Sequence, residues 1–275
     1  MQKINIIGAG RVGKSLGRLF RANSVFEIAQ VYTQTVESNL AALEFIGAGC
    51  GVTHLVQTSA ADVTLLAVPD DQLVSTTHTL LAHNALAAGS LLFHCSGSKS
   101  SLDLLAQVPA LGELQIQVAS VHPVRSFADP VAVTQNFSNT ICTIEGSAQA
   151  LALLTPAFEA IGAQLLPIAP ESKMLYHAAS VFASNYLVTL MDIAIEAYCA
   201  AGVAPEFANK MAQALATKSL ENVFNLSPAA ALTGPIKRGD METVANQQIT
   251  VSEWDATSGA VYQAFVAPTL ALARK

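Results

Sequence analysis

Short apolar runs alternate with helix-compatible segments over the first 167 residues. Seven of these runs predict β-strands, at residues 3–7, 27–33, 63–68, 91–94, 117–121, 140–144 and 164–168. Most successive strands are separated by enough chain for a helical connection. This alternation is typical of a parallel α/β sheet, whose ligands lie beyond the carboxyl ends of the strands.

A different pattern begins after Pro167, where alanine-rich helical segments replace the strands. Pro170 and Glu171 suit a first helical turn, and the usual start and stop signals predict one helix of about thirty residues ending at Gly202. That helix is apolar on most faces, as expected of a buried spine or a dimer interface. We therefore predict two domains, residues 1–167 and an all-α domain over residues 168–275.

The first predicted strand leads into the glycine sequence GAGRVG at residues 8–13. In a dinucleotide site Gly8 permits the tight turn, Gly10 lets the backbone approach a pyrophosphate, and Gly13 lets the following helix pack closely. The helix N-terminus then faces the phosphates. A purely structural turn is the alternative, but the preceding strand and following helix favour a nucleotide. Residues 1–167 are thus predicted to form a Rossmann-type, doubly wound parallel sheet that binds NAD(P).

The end of the second strand bears on the choice of dinucleotide. NAD enzymes usually carry an acid there, whereas this chain has Thr33 and Gln34 and no carboxylate before Glu37. NADP is therefore favoured and NAD is possible, with Arg11 either binding a phosphate or exposed to solvent. The predicted cofactor contacts are Gly8, Gly10, Arg11, Val12, Gly13, Thr33, Gln34, Val68, Pro69 and Asp70.

Composition narrows the possible partners. The net charge is -6, charged residues make up 12% of the chain, and no cluster of lysine and arginine appears, so a nucleic-acid partner is not expected. The four cysteines form no CxxC pair, which predicts neither a metal site nor disulfides and favours a reducing, cytoplasmic location. The chain starts directly with a strand, and its most apolar stretch contains Asn185, Asp192 and Glu196. We therefore expect neither export nor a membrane span.

A polar stripe on the long helix supplies candidate catalytic groups. Lys173, His177, Ser180 and Ser184 are spaced by four, three and four residues, which places them on one helical face. A carbonyl or imine that receives hydride needs a proton donor and charge stabilisation. Lys173 suits the role of donor and His177 that of its partner. Alternatively, the Lys173 ammonium lies in water and His177 is an interior histidine with its hydrogen bonds satisfied.

Several motifs together resemble a known family. They are GAGRVG at residues 8–13, AVPDD at 67–71, HCSGS at 94–98, HPVRSF at 122–127, KMLYHAASVFASN at 173–185 and LTGPIKRGD at 232–240. The whole chain resembles two-domain Rossmann-like oxidoreductases whose C-terminal half is a domain of unknown function, within the 6-phosphogluconate dehydrogenase-like superfamily. In that superfamily a lysine and an asparagine four residues later handle the substrate oxygen. Lys173 matches the lysine, and His177 replaces the asparagine.

The resemblance implies substrate contacts from two loops. Ser96 and Ser98 match the loop that meets nicotinamide and substrate, although Ser98 could instead cap the next helix. His122 resembles the histidine of prephenate dehydrogenases that follows the sixth strand, or it is simply bonded to a strand end. Arg125 is predicted to hold a substrate carboxylate, because a guanidinium binds carboxylates bidentately.

The sequence around residue 233 resembles the family signature and the substrate loop of pyrroline-5-carboxylate reductases. Thr233 and Arg238 are predicted to bind substrate, and Asp240 to cap the following helix. Gln247 stands where the family pattern has a histidine.

The implied activity is that of an NAD(P)-dependent oxidoreductase, an NADPH-dependent reductase of a small carboxylate-bearing ketone, imine or 2-oxo acid, working as a homodimer. A non-catalytic NADP-binding sensor and a prephenate dehydrogenase-like enzyme are the alternatives.

Overall fold

The computed structural model describes all 275 residues and divides into unit 1, Met1–Phe182, and unit 2, Ala183–Lys275. The boundary expected after residue 167 coincides with the end of the last strand, but unit 1 continues into the next helix. Lys173 on that helix is buried and hydrogen-bonded to residues of the sheet ends, which ties the helix to unit 1.

Unit 1 is built on one eight-stranded sheet with the order β3-β2-β1-β4-β5-β6-β7-β8. The strands are β1 Lys3–Ile7, β2 Glu27–Tyr32, β3 Cys50–Val52, β4 Ala61–Leu66, β5 Leu86–His94, β6 Gln117–Pro123, β7 Ile141–Gly146 and β8 Gln164–Pro167. All neighbours pair in parallel except β6 and β7. From β1 the successive strands are added first toward one edge of the sheet, as β2 and β3, and then toward the other edge, beginning with β4. This confirms the predicted doubly wound sheet followed by a helical region.

Most predicted strand bounds lie within two residues of the observed ones, and the two larger differences are at β3 and β5. β3 was missed because it has only three residues, Cys50–Val52, of which only Val52 is buried. β5 begins at Leu86, five residues before the predicted start at residue 91, and its first half contains the exposed Gly89. An exposed, glycine-containing strand start lacks the apolar pattern from which strands are predicted.

Helices cover both faces of the sheet. They are α1 Arg11–Ala22, α2 Val36–Ile46, α3 Leu73–Ala82, α4 Ser101–Gln107, α5 Ala110–Glu113, α6 Pro130–Gln135, α7 Ala148–Ala160 and α8 Lys173–Ala183. Two apolar clusters lie between the helices and the sheet. In the larger one the Phe20 and Phe93 rings each meet Phe158 edge to face, at 5.4 and 5.9 Å between ring centres, a geometry that aromatic pairs prefer. This core fixes the strand ends that carry the site.

Unit 2 is all helical. Its helices are α9 Asn185–Ala200, α10 Pro205–Leu226, α11 Pro228–Ala231, α12 Pro235–Arg238, α13 Met241–Trp254 and α14 Ala256–Ala273. The single long helix predicted to reach Gly202 is interrupted at Ser184, whose φ of -128° and ψ of -74° lie outside the helical range. Of the predicted polar stripe, Lys173, His177 and Ser180 therefore share α8, and Ser184 falls at the break.

One stretch, Pro170–Ala200, is long and apolar enough to cross a membrane by length and composition. Helices of water-soluble proteins also meet this criterion. Within the stretch, the side chain of Lys173 is hydrogen-bonded inside unit 1. The N-terminal end of the stretch is thus part of the α/β unit.

Candidate functional site

The glycine loop joins β1 to α1. Gly8 has a φ of +91°, and a Cβ there would lie 2.7 Å from the carbonyl oxygen of Ala67 on the neighbouring strand end. A Cβ on Gly13 would overlap the carbonyl oxygen of Gly8, so α1 can begin this close to the loop only with glycine. By contrast, a Cβ on Gly10 would meet no atom within 4 Å. The backbone at Gly10 therefore faces open space, as a pyrophosphate site requires.

The cleft beside this loop measures about 560 Å³, a volume typical of small-molecule and cofactor sites. Seven of the ten predicted cofactor contacts line it: Gly8, Gly10, Arg11, Thr33, Gln34, Val68 and Pro69. Val12, Gly13 and Asp70 do not. The first two lie in α1 behind the loop.

Further polar residues of the cleft escaped the sequence analysis. Lys14 follows the glycine motif, and its ammonium also lies 5.4 Å from the centre of the Phe45 ring. Thr35 and Ser38 line the cleft at the start of α2, where the Thr35 hydroxyl accepts a hydrogen bond from the Ser38 amide. A Thr-x-x-Ser spacing directly after β2 was the available signal for this capped helix start. No Asp or Glu lines the cleft.

Asp70 lies next to the cleft and binds a different loop. Its Oδ2 accepts hydrogen bonds from the hydroxyls of Ser96 and Ser98, at 2.6 and 2.7 Å. Its carboxylate thus fastens the loop after β5, and its direct contact with the cofactor stays a prediction. Ser98 does not cap α4, since Ser100 does so with Asp103 in a capping box. Pro69, which lines the cleft, is the residue just before Asp70.

Lys173 lies beneath the same loop. Its Nζ donates to the Ser96 carbonyl oxygen at 2.9 Å and to the Ser120 hydroxyl at 2.7 Å, and the residue is only 1% exposed. Burial lowers the pKa of the ammonium, and the carboxylate of Glu145 is the largest influence in the opposite direction. With its donors directed to the loop and to β6, Lys173 holds the loop in place. Two of the three ammonium N–H donors are used in these bonds, and the role of Lys173 as proton donor stays a prediction.

Two histidine rings lie against Gly97, in the middle of the loop, and Tyr176 contacts one of them. Nδ1 of His122 lies 2.7 Å from the hydroxyl oxygen of Tyr176, and the His122 and His177 rings meet edge to face at 5.7 Å between centres. A Cβ on Gly97 would overlap His177 Nδ1 and lie 3.0 Å from His122 Nε2. Nδ1 of His177 is buried without a hydrogen-bond partner. The structure thus brings His122 and His177 together at the loop and adds Tyr176, which the sequence analysis missed.

Buried polar groups surround the base of the loop. His94, at the end of β5, is fully buried, and its Nδ1 accepts from the amide of Ser96 at 3.3 Å. Burial and the charge of Lys173 lower the pKa of His94 to about 4, so the ring is neutral at neutral pH. Glu145 on β7 accepts from both the amide and the hydroxyl of Ser101 at the start of α4. These bonds fix the loop at both ends.

Arg125 does not face this cluster as a free carboxylate ligand. Its guanidinium donates to the carbonyl oxygen and side-chain oxygen of Asn136 and to the hydroxyl of Thr140. The group also lies 5.7 Å from the centre of the Phe137 ring. The arginine thus fixes the segment between β6 and β7, and its binding of a substrate carboxylate stays a prediction.

The remaining predicted substrate residues belong to unit 2. Thr233 lines a pocket of about 420 Å³, as does Gln247, whose Oε1 accepts from the hydroxyl of Tyr262 at 2.8 Å. Arg238 is exposed at the end of α12, and its guanidinium makes no hydrogen bond or ion pair within the protein. Asp240 caps α13 by accepting from the amide of Thr243, as predicted.

Comparison with known proteins identifies both parts of the chain. A Rossmann-like domain model matches residues 1–123, and a model described as a domain of unknown function, DUF2520, matches residues 140–269. No curated protein matches the chain.

Solved structures with the same fold cover nearly the whole chain. A Bacteroides fragilis protein provisionally named an NADP oxidoreductase is 20% identical, with a TM-score of 0.78 and 98% of both chains covered. A Thermotoga maritima protein is 22% identical, with a TM-score of 0.70 and 98% of both chains covered. The pyrroline carboxylate reductase of Plasmodium falciparum, solved with NADP bound, is 14% identical, with a TM-score of 0.59, over 99% of this chain and 98% of that one.

Identities this low establish the fold alone. The Rossmann-like model covers the glycine loop and the first six strands of unit 1, and the DUF2520 model covers the end of unit 1 and unit 2 as far as residue 269. The chain therefore belongs to the two-domain proteins that join a Rossmann-like domain to a DUF2520 domain.

Proposed function

We propose that this chain is an NAD(P)-dependent oxidoreductase, and specifically an NADPH-dependent reductase of a small carboxylate-bearing ketone, imine or 2-oxo acid. One observation carries the proposal. Pro69 lines the nucleotide cleft, while the next residue, Asp70, binds both serine hydroxyls of the loop that lies against His122 and His177. A dinucleotide site and a cluster of proton-handling side chains are thus adjacent at the carboxyl ends of β4, β5 and β6.

The polarity of the cleft supports NADP over NAD. The cleft wall after β2 carries the hydroxyls of Thr33, Thr35 and Ser38, and the glycine loop adds the cations Arg11 and Lys14. Hydroxyls and cations suit the 2'-phosphate of NADP, whereas the carboxylate that would bind a free ribose hydroxyl is missing from the cleft. The names of the Bacteroides and Plasmodium neighbours agree with this choice.

NADPH, when bound, supplies a hydride to the substrate carbon. The chain's own groups then stabilise the charge that develops on the substrate heteroatom. His122 and His177 are half-buried beside Gly97, and Lys173 holds that loop from below. The carboxylate of the substrate needs a cation, for which Arg125 and Arg238 stay the candidates that the sequence predicts.

Stereospecific label transfer tests the proposal. The chain is incubated with NADPH deuterated on one or the other face of C4 and with a panel of 2-oxo acids, ketones and cyclic imines, and products are analysed by mass spectrometry. We expect deuterium in one product from only one of the two labelled forms. Tight NADPH binding without label transfer to any panel member would instead indicate a sensor. Turnover only of prephenate with an oxidised cofactor would indicate a prephenate dehydrogenase-like enzyme.

We also propose that the chain works as a homodimer formed by its apolar helices. Only five residues of unit 2 are buried, Ala208, Ala212, Val244, Ser258 and Gly259. Large apolar side chains are exposed instead, including Phe207 at 54%, Leu215 at 63% and Phe224 at 84%. A helical unit with so small an interior requires another surface to cover it.

A second copy suits this surface better than a lipid bilayer. Charged residues such as Lys210, Lys218 and Glu221 are interspersed with the exposed apolar residues on α10, and a bilayer interior penalises them. All four cysteines are free, in keeping with a cytoplasmic enzyme.

Light scattering after size exclusion tests the dimer. The parent chain should have twice the mass of 28.7 kDa, and Leu215→Glu with Phe224→Glu should reduce it to one chain. Leu40→Glu, on an exposed apolar residue of unit 1, serves as the control and should leave the dimer intact. A parent chain that is monomeric, or that binds phosphatidylcholine vesicles, would contradict the proposal.

A further inference from the structure

The two ring nitrogens of His122 have different surroundings. Nδ1 is bonded to the Tyr176 hydroxyl at 2.7 Å. Nε2 has no partner in the protein and is not among the buried unpartnered atoms, so it is accessible to solvent. It lies on the side of Gly97, 3.0 Å from where a Cβ of that residue would be. The ring is thus held through one nitrogen and free at the other.

Both partners of this bond are uncharged at neutral pH. Burial and the charges of Lys173 and His177 lower the pKa of His122 to about 4, and the carboxylate of Asp70 opposes them. Burial raises the pKa of Tyr176, so its hydroxyl keeps its proton. A neutral imidazole carries one proton, and the position of that proton decides which nitrogen is a donor.

The chemistry of the two groups decides the direction of the bond. A phenol O–H is a stronger donor than an imidazole N–H, and an unprotonated imidazole nitrogen is a stronger acceptor than a phenol oxygen, as their acidities indicate. Tyr176 therefore donates to Nδ1. The ring proton of His122 must then lie on Nε2, the nitrogen that is free.

We propose that Tyr176 is a positioning residue that holds His122 as the Nε2–H tautomer, so that His122 presents an uncharged N–H donor beside Gly97 to the oxygen of a carbonyl substrate. The inference rests on the proposed reductase function and narrows it. An uncharged donor stabilises negative charge developing on a carbonyl oxygen during hydride addition. It would not favour an iminium cation, which has no lone pair to accept the hydrogen bond. A ketone or 2-oxo acid is therefore the favoured substrate. Hydride from NADPH adds to the carbonyl carbon, the C=O π electrons move to the oxygen that accepts the His122 hydrogen bond, and solvent water supplies the proton that completes the hydroxyl group, so His122 keeps its own proton.

Nitrogen NMR of the substrate-free chain tests the tautomer directly. The chain is labelled with ¹⁵N in its six histidines, and the His122 signals are assigned by their loss in His122→Gln. We expect one pyrrole-like signal at Nε2 and one pyridine-like signal at Nδ1. In Tyr176→Phe, which keeps the aromatic ring against His122, the two shifts should move toward averaged values. Leu175→Ala is the control, because the Leu175 side chain lies on the same helix and is 80% exposed.

A proton on Nδ1 in the parent chain, or His122 shifts unchanged in Tyr176→Phe, would overturn the proposal. Activity gives a second readout with a substrate from the label-transfer panel. Tyr176→Phe should lower kcat by about 10- to 100-fold and leave the KM for NADPH unchanged. The reason is that a misplaced His122 proton weakens the stabilisation of the oxyanion in the transition state, whereas cofactor binding does not depend on it. An equal kcat in both chains, or faster turnover of cyclic imines than of ketones by the parent, would also count against it. If nothing on the panel is reduced, the reductase function fails, and the NMR result alone decides the tautomer.

Discussion

Gly10→Ala separates cofactor binding from folding. In the cofactor-free chain the added Cβ meets no atom within 4 Å, and Gly10 has an ordinary φ of -69°. The substitution should therefore not lower the free energy of unfolding. Because alanine has less conformational freedom than glycine in the unfolded chain, the free energy of unfolding should rise by about 0.4–1 kcal/mol. The same methyl group would occupy the space through which the backbone approaches the pyrophosphate, so NADPH should bind at least about tenfold more weakly, a loss of about 1.4 kcal/mol.

Urea unfolding with and without NADPH measures both effects. At a concentration of 100 times the parent Kd, NADPH should stabilise the parent by about 2.7 kcal/mol, and Gly10→Ala by no more than about 1.4 kcal/mol. Gly112→Ala is the matched control, because a Cβ there also meets nothing and Gly112 lies outside the cleft. Equal stabilisation of Gly10→Ala and the parent by NADPH would refute the assignment of this loop to the pyrophosphate.

Three further predictions concern the loop after β5. Gly97→Ala should destabilise the chain by about 1–3 kcal/mol, because its Cβ overlaps His177, and unchanged urea unfolding would contradict this packing. Lys173→Met should cost about 1–3 kcal/mol by removing a charged donor from a buried carbonyl, and the same assay would detect it, whereas a more stable variant would argue against the bond. Burial lowers the pKa of His94 to about 4 in the folded chain, whereas the unfolded chain binds that proton near pH 6.5. Because of this histidine, the free energy of unfolding should fall by roughly 3 kcal/mol as the pH drops from 6.5 to 4. An identical decline in His94→Gln would show that another group is responsible.

The sheet was largely predictable because its strands are buried. β1 was predicted at its observed residues, and the glycine loop that follows could be interpreted from the spacing of its three glycines alone. β3 was not predictable, since a three-residue strand with one buried side chain leaves no periodic pattern. The break at Ser184 was missed for a related reason. Its neighbours on both sides are good helix formers, and the non-helical backbone of one residue has no sequence signal here.

The site was only partly predictable, because its contacts join residues far apart in the chain. Helical spacing correctly placed Lys173 and His177 on one helix, but it gave no sign that the Lys173 ammonium is buried against Ser96 and Ser120. Tyr176 lies three residues after Lys173 and four before Ser180, on the same helical face, but its role depends on a partner that the helical spacing does not show. Its partner, His122, is on β6, and only the fold brings the two side chains within 2.7 Å.

We propose that the glycine-loop cleft and the loop around Gly97 form one site for a nicotinamide dinucleotide. A crystal structure of the chain grown with NADP+ would show whether they do. The pyrophosphate should lie against the amides of residues 8–13, the 2'-phosphate near Thr35 and Ser38, and the nicotinamide ring beside Gly97 and His122. A dinucleotide bound elsewhere, or one whose nicotinamide points away from the loop after β5, would contradict it.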